Sequence, residues 1–371
     1  MYRLRFLLLT VVLLLSNAAG SAQTRAPKMR HGNTTVISLR CLPEGQRCIS
    51  ASYDGTIVLW ELRSGKRLWG YDFDARSKSN TIDTISNILG MDLSRDGSTV
   101  AASYSRNTVV GETMKGRTEF GIALLDARTG QLKRILSGHT DLIGQVVFSP
   151  EGDLLLSESG DQTARLWNVR SGDEALRIKL KEKGGEVAFS GSGKLMADAT
   201  QPIWGVPLQP IVGLYDARTG QMLREFPRTK NVVTSLELSP DCQALAIASG
   251  DAIGAQIEIW ELSAQEPKIT FPMPRRELKS VAFSKDGHWL ACGGYGNGQG
   301  LVEIYDLNSN KVIRTFKASR RSRVSTFLLM ERSWQLALIT GRLWCSAQFV
   351  VGDGKDGYEK GKFYIKIDKR L

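Results

Sequence analysis

The sequence predicts an all-β fold, a single seven-bladed β-propeller of four-stranded antiparallel blades. Three observations lead there. A phrase of alternating apolar residues that ends in an aromatic or leucine and then an acid or amide recurs along the chain. A tight-turn phrase recurs upstream of each copy. Seven such turns occur, and they begin 41 to 55 residues apart.

The first phrase reads Ile57-Val58-Leu59-Trp60-Glu61, then Ile122-Ala123-Leu124-Leu125-Asp126, then Ala164-Arg165-Leu166-Trp167-Asn168. It continues as Val212-Gly213-Leu214-Tyr215-Asp216, Ile257-Glu258-Ile259-Trp260-Glu261 and Val302-Glu303-Ile304-Tyr305-Asp306. A seventh copy is read at Phe363-Tyr364-Ile365-Lys366-Ile367-Asp368, after an insertion over 341–361; the third strand of that unit is either 343–351 or 363–368. Alternation with period two marks strands rather than helices.

The turn phrase begins at Leu42, Ser94, Ser149, Ser190, Ser239, Ser284 and Met330. Most copies carry Asp or Glu followed by Gly, which accepts positive φ at little cost. A unit of 40 to 50 residues holding about four strands is a propeller blade, because one blade cannot bury both of its faces while stacked neighbours cover each other. No Ser/Gly/Pro tract or charge block divides the chain, so residues 23–371 are read as one domain.

Unit three carries Gly138-His139, Phe148-Ser149-Pro150-Glu151-Gly152, Ser157, Asp161 and Leu166-Trp167-Asn168. On these residues the chain resembles the WD-repeat (WD40) family from about residue 34 onward. The resemblance implies that His139, Ser157, Asp161 and Trp167 form a buried hydrogen-bonded chain that is structural. The other units lack the His and mostly the Trp-Asp pair, and read as degenerate copies.

The N-terminus predicts export to a secreted or periplasmic location. Arg3 and Arg5 precede an apolar run over 6–15, and small residues follow to position 22. That is the pattern of a cleaved signal peptide over 1–22, and the run is short for a membrane span. Its loss lowers the formal net charge from +11 to +9. No other membrane segment is read. Export would allow a disulfide between Cys41 and Cys48, which flank the first turn and align with Phe148 and Leu155 of unit three; two free core thiols are the alternative. Cys242, Cys292 and Cys345 leave an odd count with no obvious pair.

Catalytic signatures are absent. The three histidines, His31, His139 and His288, do not sit with another His or a Cys at metal-ligand spacing, so no metal or cofactor is expected. The Gly-rich stretch 294–300 lies between two strands, whereas a dinucleotide loop must open a helix. Asp353, Asp356 and Glu359 are not spaced as a calcium loop.

The remaining signal is charge. The stretches crossing from one unit to the next hold Lys181 and Lys183, then Arg228 and Lys230, then Arg275, Arg276 and Lys279, then Lys317, Arg320, Arg321 and Arg323. Against these eleven cations stand two acids, Glu182 and Glu277. The loops expected on the same end of the blades, over 104–121, 198–210, 293–300 and 341–361, are elaborated, and Trp204 sits in one of them. A scaffold that binds a protein partner, anionic in character, through this basic face is the favoured reading; nucleic acid is not the expected partner. The alternatives are a propeller enzyme, a hydrolase or lyase with titratable groups converging on the central channel, and a carbohydrate or polyanion binder with exposed aromatics such as Trp204 or Trp344.

Overall fold

Turn chemistry divides the chain into strands. At the turn opening on Ser94, the hydroxyl donates to Asp96 Oδ1 at 2.6 Å and accepts the Thr99 N–H at 2.9 Å. Gly97, at φ +70°, closes the turn by donating its N–H to the Ser94 carbonyl. The same hydroxyl-to-backbone bond recurs at Ser149, Ser190, Ser239 and Ser284, at 2.8–3.0 Å. In the second, third, fourth and sixth sheets a second turn follows the third strand. There Asp126, Asn168, Asp216 or Asp306 accepts the N–H groups two and three residues on. This is why an acid or amide ends the repeated phrase: its side chain supplies the turn that the next strand needs.

The computed structural model describes residues 36–62, 64–74, 82–110, 118–200, 210–227, 229, 231–250, 254–274, 276–284, 286–296, 299–317, 322–330, 333–340, 343–351 and 363–365. The first sheet is β1 (Val36–Cys41), β2 (Arg47–Ser52), β3 (Thr56–Glu61) and β4 (Lys66–Asp72). The second is β5 (Ile82–Leu93), β6 (Thr99–Val110), β7 (Thr118–Asp126) and β8 (Leu132–Ser137). The third, best-patterned sheet is β9 (Ile143–Phe148), β10 (Leu154–Ser159), β11 (Thr163–Asn168) and β12 (Glu174–Lys179). The fourth is β13 (Gly184–Phe189), β14 (Leu195–Thr200), β15 (Val212–Asp216) and β16 (Met222–Phe226). The fifth is β17 (Val233–Leu238), β18 (Ala244–Gly250), β19 (Gly254–Glu261) and β20 (Ile269–Pro274). The sixth is β21 (Arg276–Phe283), β22 (Trp289–Gly296), β23 (Gln299–Asp306) and β24 (Lys311–Lys317). The last is β25 (Ser322–Met330), β26 (Ser333–Thr340), β27 (Leu343–Val351) and β28 (Phe363–Ile365).

Each sheet takes four consecutive strands in sequential antiparallel order, and helices are absent among the described residues. The first strand of every sheet lies beside the first strand of the next, and β25 lies beside β1. This is a β-propeller arrangement. Apolar residues from facing sheets pack as separate clusters between neighbours. Ile49, Ile57 and Phe73 meet Ile88 and Ala123 between the first and second sheets. Leu156, Ile178 and Leu180 meet Val187 and Met196 between the third and fourth. Phe226 and Leu236 share the next cluster with Trp260.

Polar side chains on the inner strands also join neighbours. Arg40 Nε donates to Asp92 Oδ1 at 2.8 Å, and Asp92 Oδ2 accepts the Phe148 N–H of the following sheet at 2.9 Å. Gln145 accepts the Val187 N–H at 2.5 Å, and Glu237 accepts the Phe283 N–H at 3.2 Å. A polar residue on an inner strand thus satisfies a donor that the next sheet would otherwise leave open beside the channel.

Two expectations are corrected here, and one left open is decided. The stretches 104–121 and 293–300 are largely strand, not loop: β6 and β7 continue their pairing out to Asn107↔Thr118, and β22 and β23 out to Gly296↔Gln299. Asp198 lies inside β14 rather than opening a loop. In the last sheet the third strand is 343–351, and the phrase at Phe363 supplies the fourth strand, paired to Phe349, Val350 and Val351. The presumed signal segment 1–22 lies outside the described residues.

Cys41 and Cys48 are direct cross-strand partners on β1 and β2. They are bonded, with S–S 2.01 Å and Cα–Cα 3.9 Å, and both are buried. A link closing so short a loop contributes about 2.5 kcal/mol in the chain-entropy model. Mass spectrometry of a non-reduced digest is expected to recover a peptide pair joined through these residues. Two alkylatable thiols in the purified chain would refute the bond.

Candidate functional site

The third sheet holds a continuous polar chain. His139, on the segment entering β9, places Nδ1 2.8 Å from Asp161 Oδ2 and Nε2 2.8 Å from Ser157 Oγ. Trp167 Nε1 donates to the same Ser157 oxygen at 2.8 Å. The four residues singled out in the sequence therefore meet, each from a different segment of one sheet. Burial of the imidazole holds the His139 pKa below the usual histidine range, although its bond to Asp161 acts the other way. A neutral imidazole bridging an acid and a hydroxyl is a satisfied structural group.

Sequence reasoning missed the fifth member. Arg165 is 4% exposed; its guanidinium donates to Thr163 Oγ1 at 3.1 Å, Asp161 Oδ2 at 3.3 Å and Glu174 Oε2 at 2.9 Å. A Cβ at residue 138 would stand 2.6 Å from the Arg165 Nη1, so the glycine before His139 makes room for this charge. The one available signal was position: Arg165 is the direct cross-strand partner of Ser157 and shares its side of the sheet.

Other sheets keep part of the device. Trp60 Nε1 donates to Ser50 Oγ at 2.7 Å in the first. The Tyr215 hydroxyl bonds Asp198 in the fourth, and the Tyr305 hydroxyl donates to Glu303 at 2.9 Å in the sixth. Burial raises the carboxyls of Glu186 and Glu237 to about 8 each. These raised acids sit on different inner strands, β13 and β17. No group of three or more His, Cys, Asp or Glu side chains among the described residues is arranged to hold a metal ion.

The expected basic face is only partly in view. Lys181 and Lys183 are exposed on the crossing from β12 to β13. Lys181 pairs with Glu225, and Lys183 reaches Asp141 at 3.3 Å. Lys279 is exposed but belongs to the inner strand β21 rather than to a crossing. Arg276, Lys317 and Arg323 likewise fall within β21, β24 and β25. Arg228, Lys230, Arg275, Arg320, Arg321 and Trp204 lie outside the described residues. The balance of charge on this end therefore includes Asp141 and Glu225, which a count over crossings alone omitted, and Glu182 is buried, accepting from Thr200 Oγ1 at 3.2 Å.

Comparison with known proteins finds similarity to two families. The family described as "WD domain, G-beta repeat" matches residues 27–61 and 130–168, the first and third units. In these two stretches the chain is similar to WD-repeat proteins. A second family, described as eukaryotic translation initiation factor eIF2A, matches residues 214–327.

Among similar proteins, pre-mRNA-processing factor 19 homolog 2 of Arabidopsis thaliana is 25% identical over 215 residues, covering 56% of this chain and 38% of the relative. Periodic tryptophan protein 2 of the same organism is 29% identical over 199 residues, 51% of this chain and 20% of the relative. A guanine nucleotide-binding protein subunit beta of Zea mays is 23% identical over 279 residues, 72% of this chain and 67% of the relative. The chain thus spans well under half the length of the first two.

These relatives overturn the expected secreted or periplasmic location. They are eukaryotic proteins named for pre-mRNA processing and guanine nucleotide binding, which is work of the cell interior. A charged start and a ten-residue apolar run describe composition, and composition alone does not commit a chain to export. No helix among the described residues is long and apolar enough to cross a membrane.

Proposed function

We propose that this chain is a non-enzymatic protein-interaction scaffold: one ring of seven blades that presents the loops of one end to an anionic protein partner. The neighbouring of β25 and β1 supports the blade count, since the innermost strands then run round without a gap. Consecutive antiparallel strands put the second-to-third connections and the blade crossings on one end, and the short Ser-x-Asp-Gly turns on the other. Rigid sheets holding such connections are where binding residues tend to sit.

The observation that carries the reading is the contrast between the two ends. The short first-to-second turns, five of which open on a serine, are occupied by their own hydrogen bonds. The opposite end carries the elongated β5–β6–β7 hairpins and the exposed Lys181 and Lys183. Charge on such an end raises the rate of encounter with an anionic partner and makes binding salt-sensitive.

The test is a charge-reversal set, Arg275, Arg276, Arg320, Arg321 and Arg323 to Glu. A partner captured from extract of the native cell is measured against both proteins at two salt concentrations. Affinity is expected to fall at least about tenfold, a change of about 1.4 kcal/mol, and the salt dependence to flatten. Unchanged affinity with unchanged salt dependence would show that the partner binds elsewhere.

A further inference from the structure

The seam between the third and fourth sheets contains a group that the scaffold does not explain. Glu158 on β10 is fully buried; neither carboxyl oxygen has a partner in full hydrogen-bond geometry, and the backbone N–H of Gly185 only partly favours its charge. Its carboxyl stem lies against the backbone of Gly184, where a Cβ would meet the Glu158 Cγ at 2.1 Å. Across the seam on β14 stands Asp198, 5% exposed, with Oδ1 also unpartnered and the Tyr215 hydroxyl bonding the carboxylate. An unpaired buried carboxylate is costly, and two acting on each other are costlier.

The surroundings do not neutralise them. The register neighbours of Glu158 on β9 and β11 are Gln145 and Ala164, and Ala164 pairs with Ile178 of β12; none of these titrates. β13 contributes Glu186, β14 Asp198, β15 Tyr215 and β16 Glu225. The crossing between the sheets adds Glu182, Lys181 and Lys183. Thr200 donates to Glu182, Lys181 pairs with Glu225, and Lys183 pairs with Asp141. The charges acting on Glu158 are thus those of Asp198 and Glu186, both acids.

We propose that Glu158 and Asp198 form a proton-holding pair between the third and fourth sheets, and that ionisation of the pair loosens this seam. Burial, reinforced by the mutual repulsion, pushes Glu158 well above the usual carboxylate range, and burial raises Asp198 as well. The closed seam therefore keeps protons that an opened or unfolded chain releases in the ordinary carboxylate range. Its stability is full below that range and declines as pH rises towards the raised values. Among the described residues the arrangement occurs in one seam, because the site facing Asp198 is filled by an acid. In the other sheets, the strand residue that follows the tetrad serine position is small: Ala51 after Ser50, and Ala199 after Asp198 itself.

Amide hydrogen exchange of the full chain, corrected for intrinsic rate, tests this at pH 5.5 and 8.5. Protection of β10, β13 and β14 is expected to fall at least about tenfold between the two, which corresponds to one unit of pKa difference between closed and open states, while β2 and β3 change little. Glu186→Gln, which removes another raised carboxyl, on β13, is expected to keep most of the fall; in Glu158→Gln the fall is expected to shrink, and in the double variant to drop below about twofold. An unchanged response in Glu158→Gln overturns the proposal. Should that variant not fold, the wild-type profile decides: absence of a pH response confined to this seam overturns it equally.

Discussion

Arg165→Ala is expected to destabilise the chain by about 3–5 kcal/mol, the cost of breaking a buried ion pair by removing one partner. The guanidinium is 4% exposed and bonds Asp161 and Glu174 together. Truncation leaves the Asp161 carboxylate, itself buried, with one cation fewer and opens space next to Gly138. Glu174 suffers less, because Arg177 also holds it at 2.7 Å near the surface. Lysine is not expected to rescue, since a single ammonium cannot span Thr163, Asp161 and Glu174 as a planar fork does. Urea unfolding of the variant against the wild type is the measurement. A shift corresponding to less than about 1 kcal/mol would show that the network carries little of the fold's stability.

His139→Ala is expected to cost about 2–4 kcal/mol. Loss of the ring strands hydrogen-bonding capacity on Asp161 and Ser157, about 1–3 kcal/mol for an unsatisfied buried group, and leaves a cavity beside Trp167. The same residue has a signature in pH. Because burial holds the folded imidazole below its usual pKa, the unfolded chain takes up a proton first as pH falls. Stability from this site is complete above about pH 6.5 and is lost as pH falls below it. Asp161, lowered by its hydrogen bonds against the effect of burial, loses its own contribution only at more acid pH. The difference in urea midpoint between the wild type and His139→Ala should therefore narrow as pH falls from 7.5 to 5. Loss of partner binding in a His139→Ala protein of undiminished stability would contradict the structural role and favour a functional one.

Much of this protein was legible in one dimension. The repeated phrase located the third strand in six units, and the Ser-x-Asp-Gly turns located the first hairpins, because both are local chemistry: a hydroxyl or carboxylate binding backbone groups a few residues away. His139, Ser157, Asp161 and Trp167 were legible for the same reason, being one unit read against a known pattern. Where the reading failed, the deciding interaction was not local. The stretch 104–121 reads as a loop by its length, yet β5, β6 and β7 pair far beyond the common height of the sheets. Residues 363–368 match the third-strand phrase, yet 343–351 had already taken that place beside β26. Location was misread because charge and hydropathy at a terminus are weak constraints beside kinship across the repeats.

The sequence by itself determined the period, the strand alternation, the turn types and hence the all-β repeat architecture, since each is encoded within a few residues. Tertiary structure decided which polar residues face each other. Arg165 joined the His139–Ser157 network because β10 and β11 pair Ser157 with Arg165. Glu158 and Asp198 met because two neighbouring sheets close on a shared seam. Whether a carboxyl ends up paired, solvated or stranded depends on which strand lies across from it, and for Glu158 and Asp198 that strand is 40 residues away in the chain.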